Sequence, residues 1–151
     1  MTYENILDEL EGKWICQQTN YFIHNQKVIY DQRNITFEQI YNTNISEQKD
    51  DILYNYKLYN KKNNQKIYYL FFKQQTSEFG ELHKITNDQI TYYRFKIYTY
   101  NCIKIESVQK NILYYAYIYL INPKFKITIS VLKENQKYLA VSFITEIKIS
   151  N

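Results

Sequence analysis

Glycine and proline are nearly missing from this 151-residue chain, which holds Gly 2 and Pro 1. A glycine-rich loop cradling a phosphate is therefore excluded. Cysteine is scarce too. Cys16 and Cys102 are too few and too far apart for a zinc framework, spacing alone does not exclude a disulfide, and we expect both thiols to be reduced. His24 and His83 have no second or third ligand at useful spacing, so no metal site is expected. There is no nucleophile elbow, and a Cys–His catalytic pair requires the fold to bring Cys16 or Cys102 beside a histidine. No apolar run reaches the roughly 18 residues a membrane helix needs, and Met1-Thr2-Tyr3-Glu4-Asn5 lacks the charged start and apolar stretch of a secretory signal. We expect a soluble protein, made where it works, with no membrane partner.

Arginine is the last shortage. Among Lys+Arg 19, only Arg33 and Arg94 are arginine. Asparagine, lysine, isoleucine and tyrosine stand in wherever a choice existed, the mark of a genome rich in A and T such as an organelle's. Lysine is then expected at positions where a relative carries arginine. The net charge is +4, yet the lysines are scattered and no basic run exceeds Lys61-Lys62, so nucleic acid is not an expected partner.

What is present in quantity is aromatic and β-branched. The chain is 45% hydrophobic and 18% aromatic, with Tyr 18 and Phe 8, enough for the core of one ordinary domain spanning residues 1–151. Ile6, Leu7 and Leu10 fall at helical spacing before Gly12, which predicts one short opening helix. Alternating runs follow, at about Trp14 to Ile23, Lys27 to Tyr30, Ile35 to Ile40, Ile52 to Tyr59, Lys66 to Lys73, Glu81 to Ile85, Ile90 to Tyr98, Ile103 to Val108, Ile112 to Leu120, Lys124 to Leu132 and Tyr138 to Ile149. They amount to roughly ten strands. Short polar breaks such as Asn60–Gln65, Asn87-Asp88 and Glu134–Lys137 are of hairpin length, so neighbours should pair antiparallel. That many hairpins in one domain either close into a barrel or split into two sheets, and closure is the expectation.

In the run from Lys124, Phe125, Ile127, Ile129 and Val131 share one face while Lys124, Lys126, Thr128 and Ser130 share the other. Ser142, Ile144, Glu146 and Lys148 alternate likewise in the last run. Glu146 then faces a lysine of its neighbour, as an exposed pair or inside a polar-lined cavity. Tyrosines crowd the central and late runs on both faces. A flat body with a polar tip suits the wall of a cavity holding a conjugated ligand, but the pattern does not separate packing from ligand contact.

Gly12-Lys13-Trp14-Ile15-Cys16-Gln17-Gln18-Thr19 resembles the Gly-x-Trp-x-Ser-x-Arg-Thr start of the S-type phycobiliprotein lyases. Tyr114-Tyr115-Ala116-Tyr117-Ile118, then Asn122-Pro123-Lys124-Phe125-Lys126-Ile127-Thr128, resembles that family's Glu-Arg-Ile-Trp-Phe and Asn-Leu-Arg-Leu-Arg-Thr-Ser stretches. Ser142-Phe143-Ile144-Thr145-Glu146-Ile147-Lys148 resembles its closing Phe-x-Ser-Glu-Ile-Arg. The resemblance implies an all-β, lipocalin-like, up-and-down antiparallel barrel of about ten strands with one short N-terminal helix. It implies an enzyme that binds an open-chain tetrapyrrole (a bilin, phycocyanobilin or phycoerythrobilin) as substrate, with no tightly bound cofactor. The bilin is handed to a cysteine of an apo-phycobiliprotein subunit in a plastid. Pairing of two barrels into a homodimer is left open.

Carried over by residue, the resemblance places ligand contacts at Gln18, Tyr114, Lys124, Lys126 and Glu146, with Glu146 the catalytic carboxylate; of these only Glu146 is identical to the family's residue. Lysine lacks the two-pronged contact of arginine with a propionate but keeps the charge. A tyrosine at 114 replaces a carboxylate with a neutral hydroxyl. Two other functions use the same barrel: a non-catalytic carrier for a tetrapyrrole or other lipophilic molecule, and a ligand-free interaction barrel whose charges decorate the outside.

Overall fold

The computed structural model describes residues 6–40, 52–72, 79–87 and 89–150. Met1 to Asn5, Lys73 at the end of one expected strand and Asp88 in one expected turn lie outside the described residues. A 3-10 helix, Ile6–Glu9, leads into ten strands: β1 (Gly12–Phe22), β2 (Lys27–Gln39), β3 (Ile52–Asn60), β4 (Gln65–Phe72), β5 (Gly80–Thr86), β6 (Gln89–Thr99), β7 (Cys102–Gln109), β8 (Ile112–Asn122), β9 (Phe125–Glu134) and β10 (Lys137–Ser150). Each strand pairs antiparallel with its sequence neighbour, and β1 pairs with β10 to close the barrel.

Three details differ from the sequence reading. The opening turn is 3-10 rather than α-helical, because four residues are too few to nucleate an α-helix before the chain must turn into the wall. Gly12 is the first residue of β1 instead of a helix cap; its φ of 147° and the Ser150 carbonyl oxygen 2.9 Å from where a Cβ would sit leave room for no side chain. The runs Lys27 to Tyr30 and Ile35 to Ile40 merge into the single strand β2, which ends at Gln39. The intervening Asp31-Gln32-Arg33-Asn34 is polar on both faces and imitates a loop, yet it pairs in register with Gln18 to Ile15. One of its faces meets water, and the other meets a polar interior.

Turns show how the chain manages with so little glycine. Gln26, Asn64, Asn87, Lys110, Asn135 and Gln136 all take positive φ, between 44° and 66°, where glycine is the usual occupant.

Core packing is concentrated at one end. Ile6, Leu7 and Leu10 plug the barrel over Trp14, Phe37, Tyr56, Phe71, Leu82, Phe95, Ile103 and Leu120. The wall holds the plug by hydrogen bonds as well as contact. Tyr56 donates its hydroxyl to the Leu7 carbonyl and Tyr54 to Asp8, while the Trp14 indole donates to the Leu10 carbonyl at 2.9 Å. On β9 and β10 the usual order is reversed: Lys126, Thr128, Ser130 and Glu146 are buried, whereas Ile129, Phe143 and Ile147 are exposed at 39%, 46% and 53%. The polar side of these strands therefore faces inward.

Candidate functional site

Register alone brings three chemically active side chains into a row. Cys16 of β1 lies opposite Glu146 of β10, and Glu146 lies opposite Lys126 of β9. All three are buried. The Cys16 thiol donates to Glu146 Oε2 at 3.0 Å, and Lys126 Nζ stands 3.6 Å from Glu146 Oε1. Burial pushes the Cys16 thiol far above its usual pKa, and the Glu146 charge and hydrogen bond push it further, so it is a protonated donor and not a nucleophile. Lys126 rests 4.3 Å over the Trp14 ring, with Phe37 5.8 Å away, which compensates in part for removing an ammonium from water. Lys148 lies over Trp14 at 5.0 Å and donates to the Glu9 carbonyl at 3.2 Å. Its pKa is lowered, first by burial, with Lys126 adding to the effect.

Further from the plug the lining is polar. Gln18 donates to Asn20 at 2.9 Å and to the Ser142 hydroxyl at 3.2 Å, and accepts from Arg33 Nη1 at 2.9 Å. Arg33 Nη1 also meets Asp31 Oδ2 at 3.0 Å. On the facing wall, the Tyr93 and Tyr114 rings meet edge to face at 6.0 Å, and the Tyr114 hydroxyl shares a hydrogen bond with Ser130. Tyr69 of β4 lies in the wall of the same interior as Arg33. Its phenol is raised by burial first, then by Tyr93, Tyr114 and Glu146, and is lowered by Arg33.

This interior is reached from the side. β2 pairs with β3 only from Thr36 to Gln39, so among the described residues its outer half is hydrogen-bonded as a strand to β1 alone. A recess of about 640 Å³ opens there, with Arg33, Ile67, Tyr69 and Lys84 in its wall.

The structure thus brings together most of the site residues named from sequence. Glu146 and Lys126 touch, Gln18 lies in the polar layer above them, and Tyr114 is on the facing wall. Lys124 is not among them: it sits exposed in the turn before β9, its backbone N–H donating to Asn122 at 2.8 Å. Sequence reasoning missed Cys16 as a partner of Glu146, Arg33 as an interior cation, and the stacking of Lys126 and Lys148 on Trp14. Parity held the signal for the first, since Trp14, Cys16 and Gln18 alternate on one face. Among the described residues no group of three or more His, Cys, Asp or Glu side chains is placed to hold a metal, and both cysteines are free. Neither is beside a histidine in any described contact; His83 instead pairs with Glu81 at 3.5 Å.

A closed antiparallel barrel, plugged over a tryptophan and carrying a charged interior with a lateral opening, defines a lipocalin-like binding barrel. No protein-family model matches the chain. It is 66% identical, over 100% of both chains, to a protein of Gracilaria tenuistipitata var. liui described as a "Chromophore lyase CpcS/CpeS homolog". The chain belongs to the CpcS/CpeS family of chromophore lyases. The fold agrees with that of the S-type phycobiliprotein lyase CPES from Guillardia theta, at a TM-score of 0.71 and 12% identity over 95% of this chain and 90% of that one. A Nostoc punctiforme protein of unknown function shares the fold less closely, at a TM-score of 0.51 and 10% identity over 98% of this chain and 51% of that one.

Proposed function

We propose that this chain binds an open-chain tetrapyrrole in the polar part of its barrel and attaches it to a cysteine of a phycobiliprotein subunit. The observation that carries the reading is the buried Glu146 carboxylate, set between a thiol donor and an ammonium on the inward face. A carboxylate held there is suited to accept from pyrrole N–H groups and to stabilise their protonated form. The tyrosines at 69, 93 and 114 offer flat walls for a conjugated ligand.

The reaction is an addition. The partner's cysteine sulfur bonds to the outer carbon of the bilin's exocyclic double bond, and the thiol proton ends on the ring carbon, with no leaving group and no redox change. The protein's share is positional: it fixes which face of that double bond meets the thiol and keeps water from the pigment. Glu146 orients the pyrroles, and the interior cations balance the acid side chains.

The test is to mix the purified protein with phycocyanobilin or phycoerythrobilin and then add an apo-phycobiliprotein subunit. A shifted pigment spectrum followed by a denaturation-resistant adduct is expected. An unchanged spectrum at high protein excess removes the reading. The neutral Tyr114 hydroxyl, shared with Ser130, favours one alternative, a carrier that binds bilin and gives no adduct. We further propose that the whole chain acts as one bilin-binding domain in a plastid, a setting supported by the red-algal relative and by the scarcity of glycine, proline and arginine.

A further inference from the structure

Lys84 of β5 enters the lateral recess without a counter-charge. It is half-buried, and among the described residues it has no ion pair or hydrogen bond. Burial holds its ammonium below the ordinary lysine pKa. Arg33 reaches the same recess from β2 and spends only Nη1 on protein acceptors, Gln18 and Asp31. The rest of its fork of donors has no acceptor among the described residues. Lys62 is a third cation in the wall, and among the described residues Asp31 is the only acid there. An unpaired, partly desolvated ammonium is costly, and an anionic ligand group beside it relieves that cost.

We propose that Arg33 and Lys84 form the carboxylate-binding site of this barrel, holding the two acid side chains of a dicarboxylate ligand at the lateral opening with its conjugated body against Tyr69. The assignment rests on the tetrapyrrole reading above and changes which residues serve it. Lys124 is exposed in a turn, and Lys126 is already committed to Glu146 and Trp14. Arg33 also supplies the guanidinium that Gln18 lacks, since it hydrogen-bonds Gln18 from the neighbouring strand. The ligand's acids therefore lie on the β2 and β5 side, with its pyrroles directed towards Glu146.

The experiment titrates the protein with phycocyanobilin and with its dimethyl ester, following pigment absorbance and emission of the single tryptophan, Trp14. The parent protein is expected to bind the diacid at least about tenfold more tightly than the ester, the value of one charge-assisted hydrogen bond. Lys84→Met and Arg33→Gln should each weaken the diacid by about tenfold and leave the ester unchanged. Equal affinity of the parent for diacid and ester, or variants that lose both ligands alike, overturns the carboxylate site while leaving bilin binding intact. A parent that binds neither pigment overturns the tetrapyrrole reading and this assignment together. The diacid-to-ester comparison in the parent needs no substitution, so it stands even where a variant fails to fold.

Discussion

Glu146 is held from both sides: Cys16 Sγ lies 3.0 Å from its Oε2, and Lys126 Nζ lies 3.6 Å from its Oε1. Side chains from three adjacent strands meet at one buried carboxylate, so charge, position and protonation are coupled there. Removing one member strands the others. Lys126→Met leaves a buried carboxylate with a thiol as its remaining partner and should cost about 3–5 kcal/mol, whereas adding Glu146→Gln to it should recover much of that loss. Urea denaturation of both single variants and the double variant gives the coupling. Strictly additive losses would mean that the two charges do not interact.

Cys16 predicts a pH dependence. The thiol's ordinary pKa is 9.0, and in the folded protein it lies higher, first through burial and then through Glu146. Below pH 9 folded and unfolded thiols both keep their protons, and this group makes no pH-dependent contribution. Above pH 9 the unfolded thiol releases its proton while the folded one retains it. The folded state then binds more protons, and stability falls by up to about 1.4 kcal/mol per pH unit. Lys84 and Lys148, lowered by burial, act in the opposite sense as pH rises, and Tyr69, Tyr93 and Tyr114, raised by burial, add to the fall above their ordinary value of 10.0. Cys16→Ser isolates the thiol because the other groups are common to both proteins. The stability difference between parent and variant should shrink from pH 8 to pH 10; a constant difference refutes the assignment.

Much of this arrangement was legible in the sequence. The alternation of Lys126, Thr128 and Ser130 with Ile127, Ile129 and Val131 fixed which side chains travel together, and hairpin-length breaks fixed the antiparallel order. Which face points inward was not legible, because the interior here is polar and the exterior of β9 and β10 is apolar, the reverse of the common pattern. The same inversion hid the middle of β2, where Asp31 and Arg33 look like loop residues. Glu146 and Lys126, both named through the resemblance, are buried in the interior. The resemblance had no means of pointing to Arg33 or Lys84, which come from strands outside its motifs and line one recess only through the barrel's curvature.

Trp14 should report on the plug. Its indole N–H bonds the Leu10 carbonyl, and its ring lies near both the Lys126 and Lys148 ammoniums. Trp14→Phe keeps an aromatic ring but loses the donor and the stronger cation–π face, at a cost of about 1–3 kcal/mol. Thermal unfolding should fall by about 2–4 °C for each kcal/mol lost. An unchanged Tm would mean that the Trp14 indole adds nothing to the hold of Tyr54, Tyr56 and Lys148 on the 3-10 segment.

The glycine shortage leaves stability to be recovered at the turns. Asn135 and Gln136 both have positive φ, 49° and 66°, as a two-residue hairpin turn of the mirror-image type requires. Asparagine tolerates that conformation, but glutamine does not do so readily. The left-handed region costs a residue with a side chain about 1–2 kcal/mol, and glycine's added freedom in the unfolded chain returns about half of that. Gln136→Gly should therefore stabilise the protein by about 0.5–1 kcal/mol, a rise of roughly 2–4 °C in Tm at the upper end. Asn135→Gly should give no such gain, because Asn135 Oδ1 accepts from Asn111 Nδ2 at 2.8 Å and glycine forfeits that bond between the two turns. Calorimetry of the two variants separates conformational relief from loss of the contact, and equal shifts in both would show that backbone strain at Gln136 is not the controlling factor.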